Sequence, residues 1–149
     1  MSDKKTAITP ATSQGIGAGL VAAFLKEGYN VVATSRNVSQ SLTASPSLVP
    51  VDRDIGKRET AAKAVKAAIK HFGTIDVLVN NAGIFCTKPF TDFTTEDFNA
   101  LVSTNLVGFL YISQLSLPEE LVRSASGCNA PAGDACEQHA RRLQTPACL

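Results

Sequence analysis

Apolar positions along this chain fall into two alternating kinds of segment, short continuous runs and longer stretches with a 3.6-residue period. Residues 6–9 form a short β-type run that enters a turn of small residues and opens into a helix over 15–27. There Ile16, Leu20 and Phe24 share one face, with Val21 and Leu25 beside them, and Gly28 ends the helix. A second strand over 30–35 is apolar throughout, as expected of a strand covered on both faces. Residues 37–50 are mostly polar and predict a loop with at most a short helix, and 48–51 a brief third strand. From 57 to 72 the apolar positions Ala62, Val65, Ala68, Ile69 and Phe72 predict an amphipathic helix. Its outer face carries Lys57, Arg58, Lys63, Lys66 and Lys70, read as a solvated face. A fourth strand over 75–79 is followed by a turn at 80–83. The last helix starts near Thr95, where Thr94 and Asp97 have capping-box spacing and Phe93 and Phe98 that of a hydrophobic staple. Phe98, Leu101, Val102, Leu106, Phe109 and Ile112 keep helical spacing as far as Leu117, where Pro118 is expected to stop it. Alternating strands and helices predict an α/β fold, a parallel sheet with helices on both faces and right-handed crossovers.

The composition fits one globular domain: 149 residues, 44% hydrophobic and 18% charged. A net charge of +1 with scattered Lys and Arg argues against nucleic acid as a partner. No apolar run is read as approaching the roughly 20 residues of a membrane span, and the polar start Met1-Ser2-Asp3-Lys4-Lys5 is no signal peptide. No membrane partner is expected, and the expected compartment is the cytoplasm, with the four cysteines reduced.

The turn after the first strand, Ser13-Gln14-Gly15-Ile16-Gly17, carries the first chemistry. Exposed amides at a helix start, on the positive end of its dipole, suit a pyrophosphate. Glycine at 15 and 17 lets phosphates and the neighbouring strand approach the backbone. A glycine cluster this short also fits a plain strand–turn–helix. Four further features stand in order after it: Val32 to Arg36 at the end of the second strand, Asp54-Ile55, Asn80-Asn81-Ala82-Gly83, and Asn105 within Thr104-Asn105-Leu106-Val107-Gly108.

Together these residues resemble the N-terminal two-thirds of a short-chain dehydrogenase/reductase, over 5 to about 117. The resemblance implies a Rossmann-like doubly wound sheet of order 3-2-1-4, and an oxidoreductase moving hydride between NADP or NAD and a small carbonyl or alcohol substrate. It places Ser13, Gly15, Ile16 and Gly17 at the cofactor pyrophosphate and Ser35 and Arg36 at the adenosine ribose. Asp54 would lie near the adenine, and Asn80, Ala82 and Gly83 along the adenosine-ribose side. Serine and arginine stand where NAD-preferring relatives have an acidic residue, and a guanidinium suits a 2′-phosphate, so NADP is expected over NAD. Plainer explanations stand beside these: Arg36 as a surface residue, Asp54 as an N-cap. Asn105 corresponds to the family's catalytic asparagine; amid Leu101, Val102, Leu106 and Phe109 it also reads as a buried polar group needing partners.

The chain departs from the family in two places. Pro10-Ala11 replaces the usual Thr-Gly at the turn, removing an N–H and adding a methyl, which weakens the expectation of tight cofactor binding. The family's catalytic tyrosine has a lysine four residues on, whereas here Tyr29 is followed at that distance by Ala33 and Tyr111 by Leu115, and no lysine follows Lys88. Catalytic serine, tyrosine and lysine are therefore expected to be absent, which favours a non-catalytic NAD(P)-binding or interaction module as the alternative function. Residues 118–149 lose apolar periodicity and hold Cys128, Cys136 and Cys148. They are expected to be a disordered tail after an incomplete nucleotide-binding domain (1–117), as a frame shift or truncation near Leu117 would give. Cys128, Cys136, His139 and Cys148 lack the paired spacing of a structural zinc site, so no metal is expected. Without later strands the fourth would be an apolar edge, and the chain is expected to self-associate there as a homo-oligomer or to depend on a partner.

Overall fold

The computed structural model describes residues 4–127 apart from 11, 13 and 14. The strands β1 (Thr6–Pro10), β2 (Asn30–Ser35), β3 (Leu48–Asp52) and β4 (Val77–Leu78) form one sheet of order β3-β2-β1-β4, every pair parallel. The helices among the described residues are α1 (Gly15–Lys26), α2 (Val38–Ser41), α3 (Arg58–Phe72), α4 (Thr95–Val102) and α5 (Gly108–Gly127), with a 3-10 turn at Phe90–Asp92. This is the parallel α/β sheet the alternation predicts, in the Rossmann-like order the resemblance implies.

Successive strand residues point to opposite faces, so the continuous apolar run of β2 feeds two cores. Val31 and Ala33 join Val21, Val38 and Leu48 under α1 and α2, while Val32 joins Ile8, Ile55, Ala61, Ala64, Ala68, Ile75 and Ile112 under α3 and α5. A one-residue slip in register would exchange the two sets, which is why β1 and β2 stay locked with Ile8 opposite Val32.

The helices differ in detail from their apolar patterns. In α1 the buried residues are Gly17 and Val21, four apart, whereas Ile16 is 76% exposed, about 100° round the helix from Gly17. The α1 end is a Schellman turn: Tyr29 N–H bonds the Phe24 carbonyl, Gly28 N–H (φ 82°) bonds that of Leu25, and the Phe24 and Tyr29 rings meet at 5.1 Å. In α3 the inward face is Thr60, Ala61, Ala64 and Ala68; Ala62 faces solvent, and the five basic residues lie outside. Small alanines let α3 approach the sheet closely, and they dominate the seam.

Strand β4 is shorter than the apolar run 75–79 and pairs with β1. Its ends are held by other bonds: Asp76 N–H to Thr6 O (2.9 Å), Thr6 N–H to the Asp76 carboxylate (2.7 Å) and Val79 N–H to Ile8 O (2.9 Å). Among the described residues no strand lies beyond it. Residues 80–83 are irregular, with Asn81 N–H bonding the Val79 carbonyl at 3.1 Å.

The last helix departs most from expectation. Thr94 and Asp97 close the capping box, each side chain accepting from the other's backbone N–H. A π segment, Ser103–Val107, then inserts between α4 and α5. The helix does not stop at Pro118 but runs through it to Gly127. Proline forfeits one backbone bond there without ending the helix. Thr95–Val122 is also long and apolar enough, by length and composition, to cross a membrane, at mean hydropathy 1.4. The sequence reading missed this because uncharged Ser, Thr, Asn and Gln break up a stretch with no charge between Asp97 and Glu119. Here its inner face packs on α3, with Ile112 buried and Arg58 over the Tyr111 ring at 5.6 Å. Residues 128–149, with Cys128, Cys136, His139 and Cys148, lie outside the described residues.

A Cβ on Gly108 would stand 3.0 Å from Ile55 Cγ2 and 3.3 Å from the Ile55 carbonyl oxygen, whereas one on Gly19 would meet nothing within 4 Å. Gly108→Ala should lower stability by about 1 kcal/mol and Gly19→Ala raise it by about 0.5 kcal/mol in urea unfolding; equal effects would contradict the packing. Asp97 is held at a pKa of about 2 by the Lys88 ammonium and the Thr94 N–H, below the ordinary 3.8. A depressed folded-state pKa stabilises above the unfolded value and loses that contribution as pH falls from about 4 through 2. The urea midpoint should drop less steeply across that window in Asp97→Asn than in the parent chain.

Candidate functional site

Because all four strands run the same way, their carboxyl ends and the segments that follow them share one edge of the sheet. β1 ends at Pro10, buried and paired with Thr34; the missing proline N–H is bypassed when Thr12 N–H reaches the Thr34 carbonyl at 3.3 Å. α1 then starts at Gly15 with φ 60°, a conformation that strains any residue with a Cβ, and the space beside that position is open. The unpaired amides of the first turn of α1 point toward this edge. Ser13 lies outside the described residues, as does Ala11.

Past β2, Ser35 is half-buried and Arg36 exposed, and the Ser35 hydroxyl accepts from Asn37 N–H at 3.3 Å. Past β3, the Asp54 carboxylate accepts from Gly56 N–H (2.9 Å) and its carbonyl from Thr60 Oγ1 (2.6 Å), which makes a tight turn before α3. The N-cap itself is Lys57, without a side-chain cap bond, so Asp54 is not the helix cap. This turn rests on the π segment: a Cβ on Gly56 would lie 3.0 Å from the Ser103 carbonyl oxygen.

Asn105 is exposed rather than buried among the leucines, with Leu106 61% and Phe109 49% exposed beside it. The π segment adds a residue to the turn and rotates the apolar face away from the core, a shift that a regular 3.6 period does not contain. Both ends of its amide are nevertheless engaged: Oδ1 accepts from Ile84 N–H at 2.7 Å and Nδ2 donates to Ile84 O at 2.9 Å. This two-bond clamp ties the segment after β4 to the π segment. Next to it, Asn80 Nδ2 donates to Ser113 Oγ at 3.3 Å.

A cleft of about 80 Å³ opens at this edge between Pro10, Ile55, Asn80, Ala82, Asn105 and Gly108, closed below by Phe109 and Ile112. It brings Asn80, Ala82 and Asn105 together. Gly83 stands just outside, exposed, and a Cβ there would make only an ordinary 3.6 Å contact with Asn105. Gly15, Ile16 and Gly17 (exposed, exposed and buried) lie across the edge, and Ser35, Arg36 and Asp54 farther along it. Sequence reasoning overlooked Phe109 and Ile112 as lining, and Ser113, eight residues beyond Asn105; no spacing rule links them across the π segment. Among the described residues no group of His, Cys, Asp and Glu could hold a metal.

The sequence pattern of short chain dehydrogenases matches residues 5–128. The chain belongs to that family. An oxidoreductase of Botryotinia fuckeliana is 35% identical over 112 residues, which is 72% of this chain and 41% of that protein. Among solved short chain dehydrogenase folds, the 3-ketoacyl-(acyl-carrier-protein) reductase of Brucella melitensis, complexed with NADH, superposes with a TM-score of 0.78 at 29% identity, covering 83% of this chain and 53% of that one. ElxO with NADP bound superposes at 0.71, also with 29% identity, over 81% and 52%. The chain therefore spans about half the length of the short chain dehydrogenases it matches.

Removing the Asn105 side chain should release the Ile84 backbone. Asn105→Ala is expected to cost about 1 kcal/mol and to speed amide exchange at Ile84, read by NMR. Asn105→Asp, which keeps the acceptor but not the donor, should leave Ile84 N–H protected. Unchanged exchange in the alanine variant would show that the clamp does not form in solution.

Proposed function

We propose that this chain supplies the nucleotide-binding part of an NADP-linked oxidoreductase acting between a carbonyl and an alcohol, with NAD as the poorer cofactor. The observation that carries the cofactor choice is the end of β2, where Ser35 and the exposed guanidinium of Arg36 stand and no carboxylate occupies the strand end to accept from a 2′-hydroxyl. A 2′-phosphate is doubly charged near neutral pH and gains charge-assisted bonds from such a group. The first turn of α1, with the open space beside Gly15, would take the pyrophosphate, and the segment 80–83 would border the adenosine-ribose side of the cofactor. When bound, the cofactor would supply or accept the hydride. Asn105 would act through its hold on Ile84, keeping the cleft wall in place.

A second reading is favoured by the tyrosines: the chain binds nucleotide and does not turn it over. The Tyr111 ring lies beneath Arg58 on the α3 side, and Tyr29 packs on Phe24 at the amino end of β2, so neither lines the cleft. Neither has a lysine four residues on to lower its pKa.

Fluorescence titration with NADPH and NADH tests both. NADPH should bind at least tenfold tighter, the difference that one charge-assisted contact of about 1.5 kcal/mol supplies. No carbonyl reduction should accompany binding. Equal affinities would reject the NADP preference, and absence of saturable binding would reject the nucleotide site.

A further inference from the structure

The β2–β3 pairing does not end with the named strands. Ser35 stands opposite Asp52, and the next residue, Arg53, donates its N–H to the Ser35 carbonyl at 2.9 Å. Arg36 follows Ser35 directly, so the two arginines leave adjacent strand ends side by side, both exposed. Two carboxylates flank Arg53 in sequence, and neither turns to an arginine. Asp52 accepts from both the N–H and the hydroxyl of Ser39, which hold its carboxyl below the usual range and keep it ionised, and Asp54 accepts from Gly56 N–H. Among the described residues, neither Arg36 nor Arg53 forms an ion pair, while Arg58 is engaged with Tyr111 and Gln114. The Ser35 hydroxyl already accepts from Asn37, so its own proton is free to be donated.

We propose that Arg53 is a second guanidinium for the 2′-phosphate of NADP, closing on it with Arg36 and the Ser35 hydroxyl from across the β2–β3 pair. This rests on the NADP reading above and adds to it a residue from the neighbouring strand. The reason is electrostatic. Asp52 and Asp54 place two negative charges at this edge, and a single arginine would leave a dianion facing a net negative surface. With both carboxylates bound to local donors and two guanidinium forks uncommitted, a tetrahedral phosphate finds planar, bidentate partners on two sides.

The test is calorimetric titration of the whole chain and of Arg36→Gln, Arg53→Gln and Arg53→Lys with NADPH, NADH, adenosine 2′,5′-bisphosphate and AMP. Arg53→Gln should weaken NADPH and the bisphosphate about tenfold while leaving NADH and AMP within twofold, and Arg53→Lys should recover part of the loss. If Arg36→Gln abolishes the preference and Arg53→Gln leaves it at the parent value, the role of Arg53 is overturned and the NADP reading stands. Equal weakening of all four ligands by Arg53→Gln likewise overturns it, marking a fold defect. A parent chain with no preference for NADPH overturns both.

Discussion

The parallel pairing of β1 with β2 on one side and β4 on the other is the constraint from which everything else in the molecule follows. A parallel pair cannot be joined by a tight turn, so each connection must cross the sheet and return, and it does so as a helix. The strands then all end on the same edge. Pro10, Ser35, Asp52 and Leu78 are brought to one line although they are 25, 17 and 26 positions apart in succession. The residues at the strand ends need no other device to meet: their place is fixed by the depth of Ile8, Val31 and Val32 in the two cores.

On that frame, one element works against its own sequence pattern. A regular helix over 95–117 would direct Leu101, Leu106 and Phe109 along one stripe and bury Asn105 among them. The π segment breaks the stripe in the middle. Its inner side, Ile112 with Tyr111 and Leu115, packs with the α3 core, while Phe98, Leu106, Phe109, Leu110 and Leu117 face outward, uncovered by the described residues. In exchange, Asn105 comes out at the sheet edge with both ends of its amide committed to Ile84. A π bulge costs helical regularity, and such bulges recur where a side chain must be aimed at a site.

The legible parts of the fold were those in which local chemistry and burial agree. β2 was readable to the residue because Val31, Val32 and Ala33 form a continuous apolar run and both faces are covered. Gly28 and the Thr94–Asp97 box announced their helix ends through backbone chemistry that needs no tertiary partner. The inward face of α3 was misjudged at Ala62, since an alanine-rich helix offers little contrast between its faces. Ile16 misled for a related reason: the residue that packs at that turn is Gly17, and a missing side chain leaves no apolar signal. At the site, Asp54 could be read as a helix cap, and only the position of Lys57 as the actual cap excludes that reading. The clamp from Asn105 to Ile84 joins positions 21 apart through an irregular segment, a contact that neither period nor motif encodes.

The several groups of the site are also mechanically joined. The turn at 54–56 touches the π segment through Gly56 and Ser103, and Gly108 sits against Ile55, so that turn and the helix behind Asn105 share backbone-level contacts. Asn105 in turn holds Ile84, next to the 80–83 segment. Small displacements at any of the three would be felt at the others, because close-packed backbone contacts have little room to yield. The turn at 54–56 and the 80–84 segment are thus linked through a single short stretch of helix. That explains why glycine, with no side chain to push the walls apart, occupies both 56 and 108.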